Sequence, residues 1–417
     1  MSRVVVVGAG FAGMAAVREL RESGGQVTLV DRHIYSTFQP LLYQVATGGL
    51  NPGDIVYPTR NFVRRHGARF RRGSVTAIDT HARELVLDGG ARLGYDYLLL
   101  ASGVTTNYFG VPGAAEHTMA LYTRQEAIIL RDCLMAGLEA LAARTGTGDL
   151  TAVIVGGGAT GVETAGAMAE LRNAAVKTAF PEITPRQVNI MLLEQGPELL
   201  APSPPRLRRY ALAQLRKREV QVRLDTAVRE VTPHTVVLGD NTMLRADLTI
   251  WAAGVTASTA VHKWGLPQGR GGRIFVDDHL RVAGHPEIFA AGDLALIDGQ
   301  PLAQQAQPAI QTGTHAGRQI RHLLAGQATQ PFHYRDKGSM ATIGRNAAVV
   351  ALPHGVRLSG ALAWLAWLGL HIIMLLGNRN RLSTLLNLSW RYLAWPSGNS
   401  LIVGDLPDQD QHDRHET

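Results

Sequence analysis

Two copies of one pattern, about 148 residues apart, predict an α/β chain with two Rossmann-like dinucleotide-binding domains, the second inserted in the first. Each copy is an apolar strand, a glycine turn and a small-residue helix: Val4-Val-Val-Val-Gly8-Ala-Gly10-Phe-Ala-Gly13, then Val153-Ile-Val-Gly156-Gly-Gly158-Ala-Thr-Gly161. Unbroken apolar runs of this length suit strands covered on both faces of a parallel sheet. A second recurring signal is a strand that ends in small residues: Tyr97-Leu-Leu-Leu-Ala-Ser-Gly103, Leu248-Thr-Ile-Trp-Ala-Ala-Gly254 and Ile288-Phe-Ala-Ala-Gly-Asp293. That is the edge where open α/β sheets take their ligands, and glycine there lets a ligand approach the backbone.

At 417 residues the chain has material for two or three domains. The expected boundaries are 1–112 and 271–330 for the two parts of the first domain, 113–270 for the inserted domain, and 331–417 for C-terminal strands, helices and a polar tail at Asp408–Thr417. Small antiparallel excursions are expected between Arg69 and Leu87 and between Val220 and Leu238. The balance of 41 Lys+Arg against 34 Asp+Glu gives +7, without the dense basic runs of a nucleic-acid binder, so no nucleic-acid partner is expected. Cys133 is the single cysteine, which leaves no internal disulfide, redox pair or all-cysteine metal centre, and no metal is expected. A reducing compartment and a start in the cytosol fit that thiol count and a first strand beginning three residues from Met1.

In the first copy Gly8 permits the tight turn, Gly10 lets a pyrophosphate touch backbone and Gly13 lets helix and strand pack. Asp31 follows Gly13 by 18 residues at the end of Val27-Thr-Leu-Val and would accept from ribose hydroxyls. The expected cofactor contacts there also take in Arg32, Val75, Gly103 and Asp293, the last either facing the cofactor or serving as an ordinary helix cap. In the second copy, with Gly156, Gly158, Gly161 and Gly254, the acid is displaced to Glu194, 33 residues beyond Gly161, and an insertion around Asn173–Arg186 accounts for the spacing. A carboxylate at that place favours NADH over NADPH, because it repels a 2′-phosphate. Two nucleotide sites in one chain suggest bound FAD and a diffusing NADH.

Five further stretches narrow the class: Phe38-Gln-Pro-Leu-Leu-Tyr-Gln-Val-Ala-Thr-Gly48, Asn107-Tyr-Phe-Gly110, Ala306-Gln-Pro-Ala-Ile-Gln311, Asp336-Lys-Gly-Ser-Met-Ala-Thr-Ile-Gly-Arg345 and Asn378-Arg-Asn-Arg381. Over residues 3–395 they resemble type II NADH dehydrogenases, the non-proton-pumping NADH:quinone oxidoreductases of respiratory membranes. The resemblance implies hydride transfer from NADH to flavin and two-electron reduction of a membrane quinone. It implies Gln307 and Gln311 on the quinone side of the flavin, Lys337 near the flavin, and Glu163 in proton or hydride-linked steps. The plainer alternative for Glu163 is a first-turn acid that merely complements its helix dipole. Tyr43 and Gln44 fall beside the family's quinone tunnel, with Tyr43 as easily core as lining. Gln304-Gln305 adds amides beside the family motif, and Asn378 stands where the family often has an aromatic.

Leu358–Leu376 carries only Ser359 and His371 as polar side chains and could span a bilayer or lie in its interface. Trp364, Trp367 and the segment Arg379–Trp395, with Arg381 and Arg391 among leucines, favour interfacial, membrane-anchoring helices. The expected location is peripheral, on the cytoplasmic face of the cell membrane, and a homodimer is compatible with the sequence. Reduction of a specialised, phylloquinone-type quinone and a non-turnover redox sensor are the rival readings. Sulfide:quinone chemistry would need cysteines that are absent.

Overall fold

The computed structural model describes residues 1–144, 147–300 and 302–394. The chain divides into two compact units, one of residues 1–37, 57–105 and 255–337 and the other of residues 38–56, 106–254 and 338–417. The expected boundaries at 112 and 270 fall 7 and 16 residues after those at 105 and 254, and residues 38–56, expected in the first domain, go with the second unit. Residues 106–112 go with the second unit because Asn107 is tied there at both ends of its backbone. Its N–H donates to the Gly254 carbonyl at 3.0 Å, and its carbonyl accepts from the Trp251 indole at 2.8 Å.

The first unit is built on an eight-stranded sheet. Its parallel part runs Arg69–Arg72, Gln26–Asp31, Arg3–Val7, Tyr97–Leu100, His285–Ala290. Val4, Val5 and Val6 are buried, as a strand covered on both faces requires. Small residues set the helix packing: a Cβ on Gly313 would overlap the Ala12 backbone, so the helices Phe11–Glu19 and Ala306–Leu324 meet almost backbone to backbone. The antiparallel excursion begins at Val75, with Val75 opposite Leu87 and Ile78 opposite Leu85. The preceding Arg69–Arg72 is instead a parallel edge strand, and its alternation was masked by three arginines pointing to solvent.

The second unit holds a five-stranded parallel sheet in the order Met119–Ala120, Leu248–Trp251, Leu150–Val155, Val188–Leu193, Gln221–Arg223. Here too the expected antiparallel stretch from Val220 starts late, because Gln221–Arg223 joins the parallel sheet and only Val228–Arg245 forms the antiparallel meander. Between the helix Ala159–Glu170 and Val188 the chain makes a wide π turn at Leu171–Val176 and two short helical turns, which is the expected insertion.

Three antiparallel strands follow at Ser339–Gly344, Ala347–Ala351 and Arg357–Gly360. The apolar run at Leu358 therefore begins as strand, turns at Gly360 with φ +83°, and becomes a helix only at Ala361–Met374. Fourteen residues make a helix about 21 Å long, short of the roughly 30 Å hydrocarbon core of a bilayer. No helix among the described residues is long and apolar enough to cross a membrane.

The last helix, Asn378–Ala394, is amphipathic with its polar face inward. Ser383 Oγ and Asn387 Nδ2 each donate at 2.6 Å to the Asp54 carboxylate, and Asn380 Nδ2 donates to the Val56 carbonyl at 2.6 Å. Leu382, Leu385, Leu386 and Trp390 face solvent, as do Leu362, Leu365 and Ile373 on the helix before it. The Arg391 side chain, Trp395 and the polar tail lie outside the described residues.

Candidate functional site

The two glycine turns are built alike down to the placement of one carboxylate. In the first, Val7 pairs with Val30, and Asp31 follows immediately. Its Oδ2 accepts from Ala9 N–H at 2.6 Å and its Oδ1 from His33 N–H at 2.7 Å. In the second, Val155 pairs with Leu193, and Glu194 follows. Its Oε2 accepts from Gly157 N–H at 2.6 Å and its Oε1 from Gly196 N–H at 2.7 Å. Gly8 and Gly156 turn at φ +107° and +111°, where a Cβ would run into the backbone at Ala101 and Ala252. Gly13 and Gly161 bring each helix against the carbonyl of its own turn. Neither Gly10 nor Gly158 caps its helix with a side chain, so the first amides stay available to an anion.

Around the first turn Gly103 sits at φ +69° beyond Tyr97–Leu100. Arg32 donates from Nε to His33, and Val75 is buried with its carbonyl accepting from the Trp264 indole at 3.4 Å. Asp293 lies in the single turn Gly292–Leu294, where Oδ1 is buried without a hydrogen-bond partner, so it caps no helix through that oxygen. Burial pushes its carboxyl up to about 6, against the pull of the Arg273 guanidinium. Gln307 Oε1 is likewise buried and unpartnered. Two orphaned oxygens beside a dinucleotide turn are what a cofactor rich in hydroxyls and N–H groups would satisfy, so the residues present fit FAD.

Gln307 and Gln311 look equivalent in sequence but are not in space. Both ends of the Gln311 amide are engaged by the Arg335 backbone, Nε2 donating at 2.9 Å and Oε1 accepting at 3.0 Å. Lys337 is exposed.

In the second unit Glu163 is buried on the helix Ala159–Glu170 and accepts from Thr342 N–H at 3.3 Å. Burial raises its carboxyl to about 8; the Thr342 amide and the nearby Trp367 indole oppose the shift, although the indole N–H closes no hydrogen bond of good geometry. At neutral pH Glu163 thus carries a proton. It is brought so close to the strand Ser339–Gly344 by Gly166, three residues along, where a Cβ would overlap the Ile343 carbonyl.

Trp367 stacks on His371 with ring centres 4.0 Å apart and lies 6.1 Å from Tyr43, while Phe38 meets His371 edge-on. The His371 Nδ1–H donates to the Trp367 carbonyl at 2.7 Å, and burial drops its pKa to about 4, so it stays neutral. Tyr43 and Gln44 are both buried, the Gln44 amide donating to the Tyr43 hydroxyl at 2.9 Å. Trp364 and Trp367, expected at a membrane interface, are instead buried; the i, i+4 spacing of Trp367 and His371 was the available signal that they share a face.

The fold and its twin turns define a nucleotide-dependent flavin oxidoreductase, and residues 2–313 match the family described as pyridine nucleotide-disulphide oxidoreductase. Residues 337–394 match the NDH2 C-terminal domain. The chain is 36% identical to the type II NADH:quinone oxidoreductase NdhA of Mycobacterium tuberculosis, with 97% of this chain and 90% of that one covered. It is 29% identical to the type II NADH:quinone oxidoreductase of Haemophilus influenzae, over 84% and 87%. Among solved structures, NDH2 from Plasmodium falciparum in complex with NADH shares the fold at a TM-score of 0.88 and 20% identity, over 97% of this chain and all of that one. The chain belongs to the type II NADH:quinone oxidoreductases. It is an FAD-dependent enzyme that oxidises NADH.

Proposed function

We propose that the first unit holds FAD at Gly8, Gly10, Gly13, Asp31, Arg32, Val75, Gly103 and Asp293, and that the second holds NADH at Gly156, Gly158, Gly161, Glu194 and Gly254. The observation that carries this reading is the pair of equivalent turns, each with its carboxylate bonded to two backbone amides and lone pairs left for ribose hydroxyls. FAD, when bound, accepts hydride from NADH and passes two electrons to the quinone. The chain's own residues supply the rest. Gln307 offers its Nε2–H groups to a quinone carbonyl, Tyr43 and Gln44 line the quinone's path, Lys337 contributes positive charge beside the flavin, and Glu163 holds the proton the reduced quinone needs. The exposed leucines of the last two helices are the surface that lies in the membrane interface, at the cytoplasmic face, where the lone thiol stays reduced.

Adding NADH to the purified holoenzyme should bleach the flavin band, and adding quinone should restore it. Gln307→Met is expected to leave the bleaching near its normal rate and slow the return about fivefold, the worth of a neutral hydrogen bond of ~1 kcal/mol. Gln311→Met frees the Arg335 backbone instead, and is expected to lower thermal stability rather than select one half-reaction. Equal slowing of both half-reactions by Gln307→Met in stopped flow would take that amide off the quinone side.

Glu194→Gln keeps the shape but removes the charge that repels a 2′-phosphate. The preference for NADH over NADPH, read as a ratio of kcat/KM values, is expected to narrow by roughly five- to tenfold. An unchanged ratio would place nucleotide selection elsewhere.

A further inference from the structure

The stretch Asn107-Tyr-Phe-Gly110 presents an aromatic ring to solvent at one spot on the second unit. Phe109 is 62% exposed and sits at φ +53°, a left-handed backbone that a bulky residue seldom adopts. The conformation is enforced locally: Asn107 Oδ1 accepts from Phe109 N–H at 2.8 Å, and Asn107 is itself pinned to Gly254 and Trp251. The ring is thereby held against Gly254, where a Cβ would stand 2.7 Å from Phe109 Cζ. An apolar ring kept in water by a strained backbone costs stability, and such strain gathers where a ligand must be met.

The sheet order says which part of a ligand that would be. Glu194 ends the strand on one side of Leu150–Val155, and Gly254 follows the strand on its other side, with the glycine turn between them. A dinucleotide that places its adenosine ribose at Glu194 and its pyrophosphate at the turn has only the Gly254 side left for its nicotinamide riboside. Resting on the NADH reading of this turn given above, we infer that Phe109 is a contact residue for the nicotinamide riboside half of NADH, covering it with the ring and setting the affinity of that half alone. Because the ring already rests on Gly254, it is the solvent-exposed face of Phe109 that the ligand meets.

The test uses the full-length holoenzyme with Phe109→Ala and Phe109→Leu. The NADH concentration giving half-maximal bleaching should rise about tenfold in Phe109→Ala, a loss typical of one aromatic contact, and less in Phe109→Leu. The maximal bleaching rate, the KM for quinone and the melting temperature should stay close to those of the parent. Competition by ADP-ribose, which has the adenylate and pyrophosphate but no nicotinamide, should be unaffected by Phe109→Ala and weakened by Glu194→Gln. An unchanged NADH requirement, or equal weakening of NADH and ADP-ribose, would overturn the assignment of Phe109. If Glu194→Gln also leaves ADP-ribose competition untouched, the nucleotide reading of the turn falls with it; if Glu194→Gln weakens it while Phe109→Ala leaves NADH unchanged, only the inference about the ring fails.

Discussion

Glu163→Gln should slow reoxidation by quinone about a hundredfold while leaving flavin bleaching by NADH near normal, because a positioned proton donor is worth 10²–10⁴ in rate and Gln has no proton to give. With its carboxyl raised to about 8 by burial, the parent enzyme should hold a steady reoxidation rate at neutral pH and lose it as pH climbs through about 8. The variant should be slow and flat over the same range. Stability gives a second reading of the same group. A folded-state pKa above the unfolded one contributes stability that is complete below the ordinary carboxylate range and is lost as pH rises through about 8. Melting temperatures of the parent should therefore fall across that window more than those of Glu163→Gln. A break near pH 8 that survives in the variant's reoxidation rate would assign the proton to another residue.

Gly166→Ala is expected to cost about 1–3 kcal/mol, a large effect for one methyl group. The reason is that its Cβ meets the Ile343 carbonyl, and backbone on both sides leaves neither partner a side chain to swing away. Pushing the strand Ser339–Gly344 outward also loosens the Thr342 amide from Glu163 and admits water to the carboxyl. The pH at which reoxidation falls should then move below 8, towards the ordinary carboxylate range. Thermal melts and a pH series on the one variant read both effects together. A variant that melts like the parent and keeps its break near pH 8 would show that this contact is not what buries Glu163.

The nucleotide turns were legible because strand, glycines and acid lie close in sequence and each residue's role follows from backbone geometry. Even the displaced Glu194 could be read, since Ile190–Leu193 is an apolar run ending in an acid, and the intervening π turn leaves the parallel register intact. Glu163 reads from the sequence as a first-turn acid, but the helix starts at Ala159 and has no acid in its first turn, so Glu163 stands one turn further in, away from the amino end. Its burial left no sequence signal, because the strand that covers it lies far along the chain and approaches only because Gly166 has no side chain. Gln307 and Gln311 could not be told apart for a similar reason: the Arg335 backbone that occupies one of them belongs to a loop with no pattern of its own. The run at Leu358–Leu376 overstates only the length of its helix, which covers Ala361–Met374. Its hydropathy is continuous, whereas the positive φ at Gly360 that divides strand from helix leaves no trace in hydropathy.

The inward polar face of the last helix bears on how the enzyme behaves at the bench. Its grip on the fold is a set of hydrogen bonds to Asp54 and Val56, chemistry that a detergent tail has no means of displacing. Its outward leucines and Trp390 are the groups a micelle coats. Solubilisation by mild detergent should therefore yield a folded enzyme wearing a collar of amphiphile. Diluting that detergent away leaves the leucines facing water, so turbidity, rather than loss of secondary structure, is the first sign of trouble.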